Sequence, residues 1–102
     1  MEIDLSQIAG FEWDVGNLTK SAQKHGVSPD EAEEVFYRKP WITPDSRPQD
    51  KETRLAAIGR VETGRWLRVI FTVRKNRIRP ISCRPANRKE ILAYEKALRE
   101  RG

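Results

Sequence analysis

The stretch that decides the fold is residues 66–84, which read WLRVIFTVRKNRIRPISCR. Its first nine residues alternate between two faces, with an apolar set on one (Leu67, Val69, Phe71 and Val73) and a mixed set on the other (Trp66, Arg68, Ile70, Thr72 and Arg74). Because side chains of a strand point to opposite faces in turn, this period of two predicts a strand over 66–74. Lys75-Asn76 predicts a hairpin turn, and residues 77–84 predict the strand that follows it. Pro80 cannot donate a ladder hydrogen bond, so it indicates an edge position or a bulge.

Residues on the N-terminal side of this hairpin predict two more strands and a loop. Residues 55–60 predict a strand in which Gly59 indicates a bulge or the close approach of another backbone, and residues 61–64 predict the turn after it. Residues 9–13 predict a short first strand. Residues 40–52 contain three prolines and no apolar periodicity, which predicts an exposed loop.

Three helices are predicted from the signals at their ends. Residues 28–31 (Ser-Pro-Asp-Glu) place a hydroxyl at the N-cap, proline at the first helical position and glutamate three residues after the cap, which predicts a helix to about Arg38. Residues 17–24 predict an earlier helix. Asn87, with Glu90 three residues later, predicts the cap of a final helix, whose apolar stripe is Ile91, Tyr94 and Leu98.

The resulting order, β-α-α-β-β-β-α, predicts an α+β fold in which helices pack on a small antiparallel sheet of about four strands. The length of 102 residues suits a single domain over 1–102, with Trp13 and Tyr94 in its core. No segment approaches a membrane span and no signal-peptide pattern is present, so a cytoplasmic protein with no membrane partner is expected. With Cys83 as the one cysteine and His25 as the one histidine, no internal disulfide, metal site or cofactor is expected.

Charge is distributed unevenly along the chain, whose formal net charge is +5. Residues 1–53 carry eleven acidic and six basic side chains, whereas residues 54–88 carry ten basic side chains against the single acid Glu62. Nine of those ten are arginines, whose planar guanidinium can bind a phosphate through two hydrogen bonds. The middle of the chain therefore indicates a polyanionic partner. A solvated face that serves only solubility is the alternative.

The residue set suits cleavage of RNA without a metal. The sequence has no glycine-rich phosphate loop, no close pair of carboxylates and no Cys/His ligand set. In metal-free cleavage the 2′-OH attacks the neighbouring phosphorus, so the site needs a base, cations that stabilise the pentavalent phosphorane, and a proton donor. Arginines supply the cations but are poor bases, because they hardly lose a proton.

A few polar residues are candidates for the remaining roles. Histidine has an ordinary pKa near neutrality, so His25 is a candidate acid–base group, although a histidine at a helix end is also favoured by the helix dipole. Lys24 is either an electrostatic helper or a cation in the last turn of a helix. Glu52 and Arg54 would share one face of a strand. They are either a base beside a phosphate-binding arginine or a salt bridge at the strand end.

An ordered set of short motifs resembles the BrnT toxin family. The set begins with Phe-Glu-Trp-Asp at 11–14, Asn17, Lys-His-Gly-Val at 24–27 and Glu-Ala at 31–32. It continues through Glu52, Arg54, Ile58-Gly59 and Gly64-Arg65, and it closes with Ile-Ser-Cys-Arg-Pro-Ala-Asn-Arg-Lys-Glu at 81–90. Pro80 departs from the family, which usually has a strand aliphatic there, and residues 1–8 extend beyond its usual start.

The resemblance implies a RelE-like fold and an endoribonuclease that inhibits translation as the toxin of a type II toxin–antitoxin system. It also implies an RNA substrate and a BrnA-type DNA-binding antitoxin, held with the toxin in a hetero-oligomer. The catalytic candidates it implies are Lys24, His25, Glu52, Arg54 and Arg84. The RNA-binding candidates are Arg65 and Arg88, together with Arg74, Arg77 and Arg79, which lie in the corresponding strands.

A second class of function fits the same residues. A basic binding module without catalysis could use the arginines to hold nucleic acid or the acidic surface of an antitoxin. Salt weakens either kind of contact, so salt dependence does not separate the two classes. Catalytic turnover separates them, because only the ribonuclease cleaves RNA.

Overall fold

The predicted hairpin over residues 66–84 lies in the middle of a five-stranded sheet. The computed structural model describes residues 8–13, 16, 26–44 and 54–101. The elements in chain order are β1 (Gly10–Phe11), α1 (Pro29–Tyr37), β2 (Trp41–Pro44), β3 (Leu55–Arg60), β4 (Trp66–Arg74), β5 (Arg77–Pro85) and α2 (Arg88–Arg101). Across the sheet the strands follow the order β1-β5-β4-β3-β2. The predicted helix over 17–24 lies outside the described residues.

The turn between β4 and β5 is tight because two residues adopt left-handed backbone conformations. Lys75 has a φ of 50° and Asn76 a φ of 63°, as a two-residue turn that matches the twist of its strands requires. Asparagine tolerates this region better than most residues do. The turn fixes the register so that Arg74 pairs with Arg77. The predicted hairpin is therefore confirmed.

A bulge interrupts the pairing of β4 with β5. Phe71 pairs with Pro80 and Ile70 pairs with Ser82, so Ile81 is an extra residue on β5. Proline fits such a site because it has no N–H to contribute to the ladder. Of the two interpretations of Pro80, the bulge is the one confirmed.

The sheet differs from the predicted one at both edges. Residues 41–44, predicted as loop, form β2 and pair antiparallel with β3, because Ile42 packs against the core while Pro44 lies at the end of an edge strand, where a missing N–H is tolerated. The rest of the predicted loop, from residue 45, lies outside the described residues. β1 pairs parallel with β5, so the sheet is mixed and has five strands, and the prediction of about four antiparallel strands was wrong in this detail.

Helix α1 covers the apolar face of the sheet. Its capping box forms as predicted: the Ser28 hydroxyl accepts a hydrogen bond from Glu31 N, and the Glu31 carboxylate accepts one from Ser28 N. The ring of Phe36 packs edge-on against that of Phe71, with centroids 5.0 Å apart. Around this contact lies the core cluster, which includes Val27, Ala32, Val35, Leu55, Ala57, Leu67, Val69 and Ile78. Trp13 packs against the core as predicted, and its indole Nε1 donates to a carboxylate of α1.

Helix α2 packs on the opposite face of the sheet. The Tyr94 ring lies 5.0 Å from that of Trp66, and the Tyr94 hydroxyl donates to Lys39 O at 3.0 Å, which ties α2 to the segment before β2. Tyr94 is buried as predicted, but Leu98 is exposed, so the predicted apolar stripe is shorter than expected. The side-chain contacts of α2 with β4 and β5 shown by the structure come from Glu90 and Tyr94, which precede Leu98 by at least one helical turn. Within the described ranges, no helix is long and apolar enough to cross a membrane.

Gly59 allows α1 to lie close to β3. A Cβ built at this position would be 3.2 Å from Val35 Cγ1 and 3.6 Å from Val35 O. Val35 is fully buried, so its side chain has no open space to move into. The predicted close backbone approach at Gly59 is therefore confirmed.

Cys83 lies in the core, next to Val69 across the ladder. Burial, together with the charge of Glu31, raises the pKa of its thiol to about 12, although the nearby charges of Arg65 and Arg84 act to lower it. A thiol with so high a pKa carries almost no thiolate at neutral pH, which excludes Cys83 as a nucleophile in the folded protein.

Replacing Gly59 by valine should lower the free energy of unfolding by about 1–3 kcal/mol, as overpacking of a filled core does. Urea unfolding followed by tryptophan fluorescence measures the change. Combining Gly59→Ala with Val35→Ala serves as the control, because the second substitution removes the crowded methyl group and should make the pair less destabilising than the sum of the single variants. An unchanged urea midpoint for Gly59→Val would contradict the close approach.

The Cys83 thiol should resist a thiol-specific reagent at pH 8 in the native protein and react readily in urea. Its pKa returns to about 8.5 in the unfolded chain, where a sizeable fraction is thiolate. The rate of labelling, followed by absorbance of the released chromophore, checks this. Native labelling as fast as that of the unfolded chain would show that the thiol is accessible.

Candidate nucleic-acid interface

One face of the sheet, the side opposite α1, gathers arginines from three neighbouring strands. In β4 the side chains of Leu67, Val69 and Phe71 enter the core beneath α1, so the residues between them face the other way. Cross-strand partners share a face. By this register the arginine face comprises Arg60, Arg68, Arg74, Arg77, Arg79 and Arg84.

The bulge at Ile81 places Arg79 and Arg84 on the same face. Residues five apart in a regular strand point to opposite faces. The extra residue shifts the alternation of β5 by one position, so that residues 79 and 84 point to the same face. Arg79 therefore pairs with Thr72 and Arg84 with Arg68, and both partners lie on the arginine face. Arg54 directly precedes β3, and continuing the β3 register places it beside Thr72 as well.

The best-defined part of this face is a cluster of Arg84, Arg68 and Glu90. Arg84 Nη1 and Nη2 donate to the two carboxylate oxygens of Glu90 at 2.9 and 2.8 Å. Arg68 Nε lies 2.9 Å from Glu90 Oε2. Glu90 also caps α2, because its carboxylate accepts from Asn87 N and its backbone N donates to Asn87 Oδ1, both at 2.9 Å. One carboxylate therefore joins two strands to the start of α2.

The environment of Glu90 keeps it ionised. Partial burial on its own would raise the pKa of this carboxyl. The hydrogen bonds from Arg84 and from Asn87 N, with the charges of Arg84 and Arg68, outweigh that effect and hold the pKa below its ordinary value. Glu90 is thus a fixed anion at neutral pH and not a proton acceptor.

Thr72 lies in the middle of the arginine face, between the positions of Arg54 and Arg79. It is buried, and its hydroxyl has no hydrogen-bond partner among the described residues. Among these residues, no group of three His, Cys, Asp or Glu side chains comes together to hold a metal ion. The described part of the face therefore offers cations and N–H donors, which suit a phosphodiester, but no base.

Arg65 lies away from the arginine face. Its Nη1 donates to Gly26 O at 3.1 Å and to the Glu31 carboxylate at 3.2 Å, so it joins the turn before β4 to the start of α1. Arg88 is exposed at the first position of α2. Three predicted catalytic residues lie outside the described residues: Lys24, His25 and Glu52. The structure thus brings Arg84 together with Arg74, Arg77 and Arg79 on one face, and it does not do so for Arg65.

The predicted site residues do not include three members of this site, Glu90, Arg60 and Arg68. The sequence indicates Glu90 only as a helix cap, and it indicates Arg60 and Arg68 only as members of the basic segment 54–88. The sequence signal for Glu90 is its short separation from Arg84. A short connection between the end of a strand and the cap of the next helix keeps these two side chains near each other. That spacing does not reveal that Arg68, on the neighbouring strand, shares the same carboxylate.

The stability that Glu90 contributes should depend on pH. Because its pKa is lower in the folded protein than in the unfolded chain, the stabilisation is complete above about pH 4.3 and is lost as the pH falls through the folded-state pKa. The charged groups that face the Glu90 carboxylate are Arg84 from β5 and Arg68 from β4, and the backbone N–H of Asn87 faces it at the start of α2. Urea unfolding should therefore show wild type more stable than Glu90→Gln at pH 7, with a gap that narrows toward pH 3. A gap of constant size across this range would contradict the assignment.

The chain resembles known proteins both in its sequence and in its fold. A family model described as the ribonuclease toxin BrnT of type II toxin–antitoxin systems matches residues 13–90. The fold is similar to the crystal structure of the Brucella abortus ribonuclease toxin BrnT, with a TM-score of 0.56, 24% sequence identity, and coverage of 78% of this chain and 97% of that chain. A search among curated proteins finds no match.

These two findings bear on different properties of the chain. At 24% identity, the structural likeness shows a shared fold. The sequence match covers most of the chain, from Trp13 to Glu90, and so includes every strand from β2 to β5 and the Arg84–Glu90 pair. The chain therefore belongs to the BrnT family, the ribonuclease toxins of type II toxin–antitoxin systems.

Proposed function

We propose that this BrnT toxin is a metal-independent endoribonuclease whose arginine face holds the RNA backbone at the scissile phosphate. The observation that carries the proposal is the placement of six arginines from three adjacent strands on one side of the sheet. Guanidinium groups bind phosphate oxygens with charge-assisted hydrogen bonds. A row of them along neighbouring strands suits a chain of phosphates better than it suits a single small anion.

In the proposed reaction the 2′-OH attacks the adjacent phosphorus, and Arg54 and Arg84 stabilise the charge that builds up on the phosphorane oxygens. Arg74, Arg77, Arg79 and Arg88 contact flanking phosphates. Arg65 is left out of these contacts, because Glu31 and Gly26 O engage its guanidinium on the α1 side. The products would be a 2′,3′-cyclic phosphate and a free 5′-OH.

Proton transfer requires a group that the arginines cannot supply. Glu90 is unsuitable, because its carboxylate accepts hydrogen bonds from arginine and from the helix start. We assign the base and acid to His25 and Glu52, with Lys24 as an electrostatic helper. The support for these assignments is residue chemistry and the family resemblance.

The family description implies an antitoxin partner and RNA targets. We propose that the partner is a DNA-binding antitoxin of the BrnA kind, that it forms a hetero-oligomer with the toxin, and that the toxin inhibits translation by cutting messages in the cytoplasm. The arginine face suits both partners, since an acidic antitoxin segment and an RNA backbone present the same charge to it.

A second candidate function is a binding module without catalysis. The observation that favours it is that the described part of the arginine face contains cations and no base. Under this alternative the arginines would hold RNA or the antitoxin, and RNA would remain intact.

Purified toxin, freed of antitoxin, should cleave a labelled RNA in the presence of EDTA and leave 2′,3′-cyclic phosphate ends. Arg84→Ala should lower kcat by about 100-fold or more, the range seen when one stabilising donor is removed from a reaction centre. Gel electrophoresis of the products, with end-group analysis by mass spectrometry, measures both results.

Arg38→Ala is the matched control. Arg38 is an exposed arginine directly after α1 that pairs with Glu34 away from the arginine face, so its removal changes the net charge equally and should leave cleavage unchanged. Loss of cleavage in EDTA with recovery on addition of Mg²⁺ would overturn the metal-independent mechanism. Intact RNA under all conditions, ribosome-bound message included, would establish the binding module instead.

A further inference from the structure

Arg84 uses only part of its hydrogen-bonding capacity within the protein. A guanidinium has five N–H donors, arranged as an end-on fork formed by the two Nη atoms and a side-on fork formed by Nε and Nη2. Glu90 occupies the end-on fork, with one carboxylate oxygen on each Nη. The second N–H of Nη1 donates to Pro85 O at 2.9 Å.

The side-on fork of Arg84 thus remains available as a complete bidentate donor. The described residues provide no partner for its Nε–H or for the second N–H of Nη2. A third of the Arg84 side chain is exposed, at 33%. A phosphate could therefore bind this fork without displacing Glu90.

Glu90 is itself held in place by several contacts, so it can hold the Arg84 guanidinium in one orientation. Its carboxylate receives hydrogen bonds from Arg84 and from Asn87 N and forms an ion pair with Arg68, and the first turn of α2 holds its backbone. Its side chain is only 19% exposed, so water competes weakly for these contacts. The cluster of Arg68, Arg84 and Glu90 keeps a net charge of about +1, which still attracts an anion.

We propose that Glu90 is a positioning residue: it grips the end-on fork of Arg84 and so aims the side-on fork at a phosphodiester oxygen of the bound substrate. The identification of the anion as an RNA phosphate rests on the proposed function, whereas the geometry at Arg84 is independent of that function. A guanidinium held in place before the substrate arrives loses little conformational entropy on binding, which strengthens stabilisation in the transition state.

In the alternative to positioning, Glu90 competes with phosphate for the arginines. Glu90→Gln should lower the cleavage activity if Glu90 positions Arg84, and it should raise this activity if Glu90 competes with phosphate. Glu90→Gln keeps a side chain that can still cap α2 through its amide oxygen. It removes the charge and one of the two acceptors, which frees the arginines but loosens Arg84.

The first experiment compares cleavage by wild type and Glu90→Gln, with Glu34→Gln as the control. Glu34 is a partly exposed glutamate of α1 that pairs with Arg38, away from the arginine face. We expect Glu90→Gln to lower kcat by at least about tenfold with a small change in KM, and Glu34→Gln to leave both unchanged. A rise in kcat/KM for Glu90→Gln, or no change, would overturn the proposal.

A double-mutant cycle separates positioning from a purely structural role. Lysine at position 84 keeps the charge but has no fork to orient. If Glu90 acts by aiming the fork, Glu90→Gln should cost much less activity in the Arg84→Lys background than in wild type. Equal losses in both backgrounds would show that Glu90 acts only as a helix cap.

A measurement that does not require cleavage uses inorganic phosphate as the probe. The Nε–H resonance of Arg84 is assigned in ¹H–¹⁵N spectra by its absence from Arg84→Lys. Phosphate should shift this resonance in wild type, with about tenfold weaker binding to Glu90→Gln. Equal or tighter binding to the variant would overturn the proposal. If wild type binds phosphate in this way but never cleaves RNA, the proposed function fails while the role of Glu90 stands.

Discussion

The pairing of β4 with β5, with its one extra residue, is the constraint on which the rest of the structure depends. A two-residue turn sets the register at one end, and the bulge at Ile81 shifts it by one position before the other end. Ile78 and Cys83 consequently both enter the core beneath α1, although they are five residues apart. The same shift brings Arg79 and Arg84 to the other face. A straight strand would place one of each pair on the wrong side of the sheet.

The two faces of this sheet are used differently. Beneath α1 the contacts are apolar and closely packed, with Gly59 providing the space that α1 needs. On the other face α2 is held by an aromatic contact and by the Glu90 carboxylate, and the arginines lie on this side. A packed core on one side thus gives the charged side a rigid platform, which a cluster of like charges requires because its members repel one another.

The sequence predicted those parts of the fold that local signals determine. The alternation over 66–74, the turn at Lys75-Asn76 and the two glutamates that complete capping boxes each depend on residues close together in the chain. β2 was missed because its pairing with β3 outweighs the prolines at its ends. The parallel pairing of β1 was missed because no short turn connects it to β5. In the site, composition indicated that arginines bind the partner, but their common face depends on a bulge that the sequence does not locate. The role of Glu90 in the site was not predicted, because its position in the sequence is already explained by its role as a helix cap.

Both described helices have in their first turn a capping glutamate that also binds an arginine from the sheet region: Glu31 binds Arg65, and Glu90 binds Arg84 and Arg68. Starting a helix and docking it therefore depend on the same side chain, which makes the two events cooperative. A local opening that frays the first turn of α2 would release Arg84 at the same moment. Such an opening also breaks the bond from the amide N–H of Glu90 to Asn87 Oδ1, so the exchange rate of this amide proton sets an upper limit on how often the folded protein loses its organised anion site.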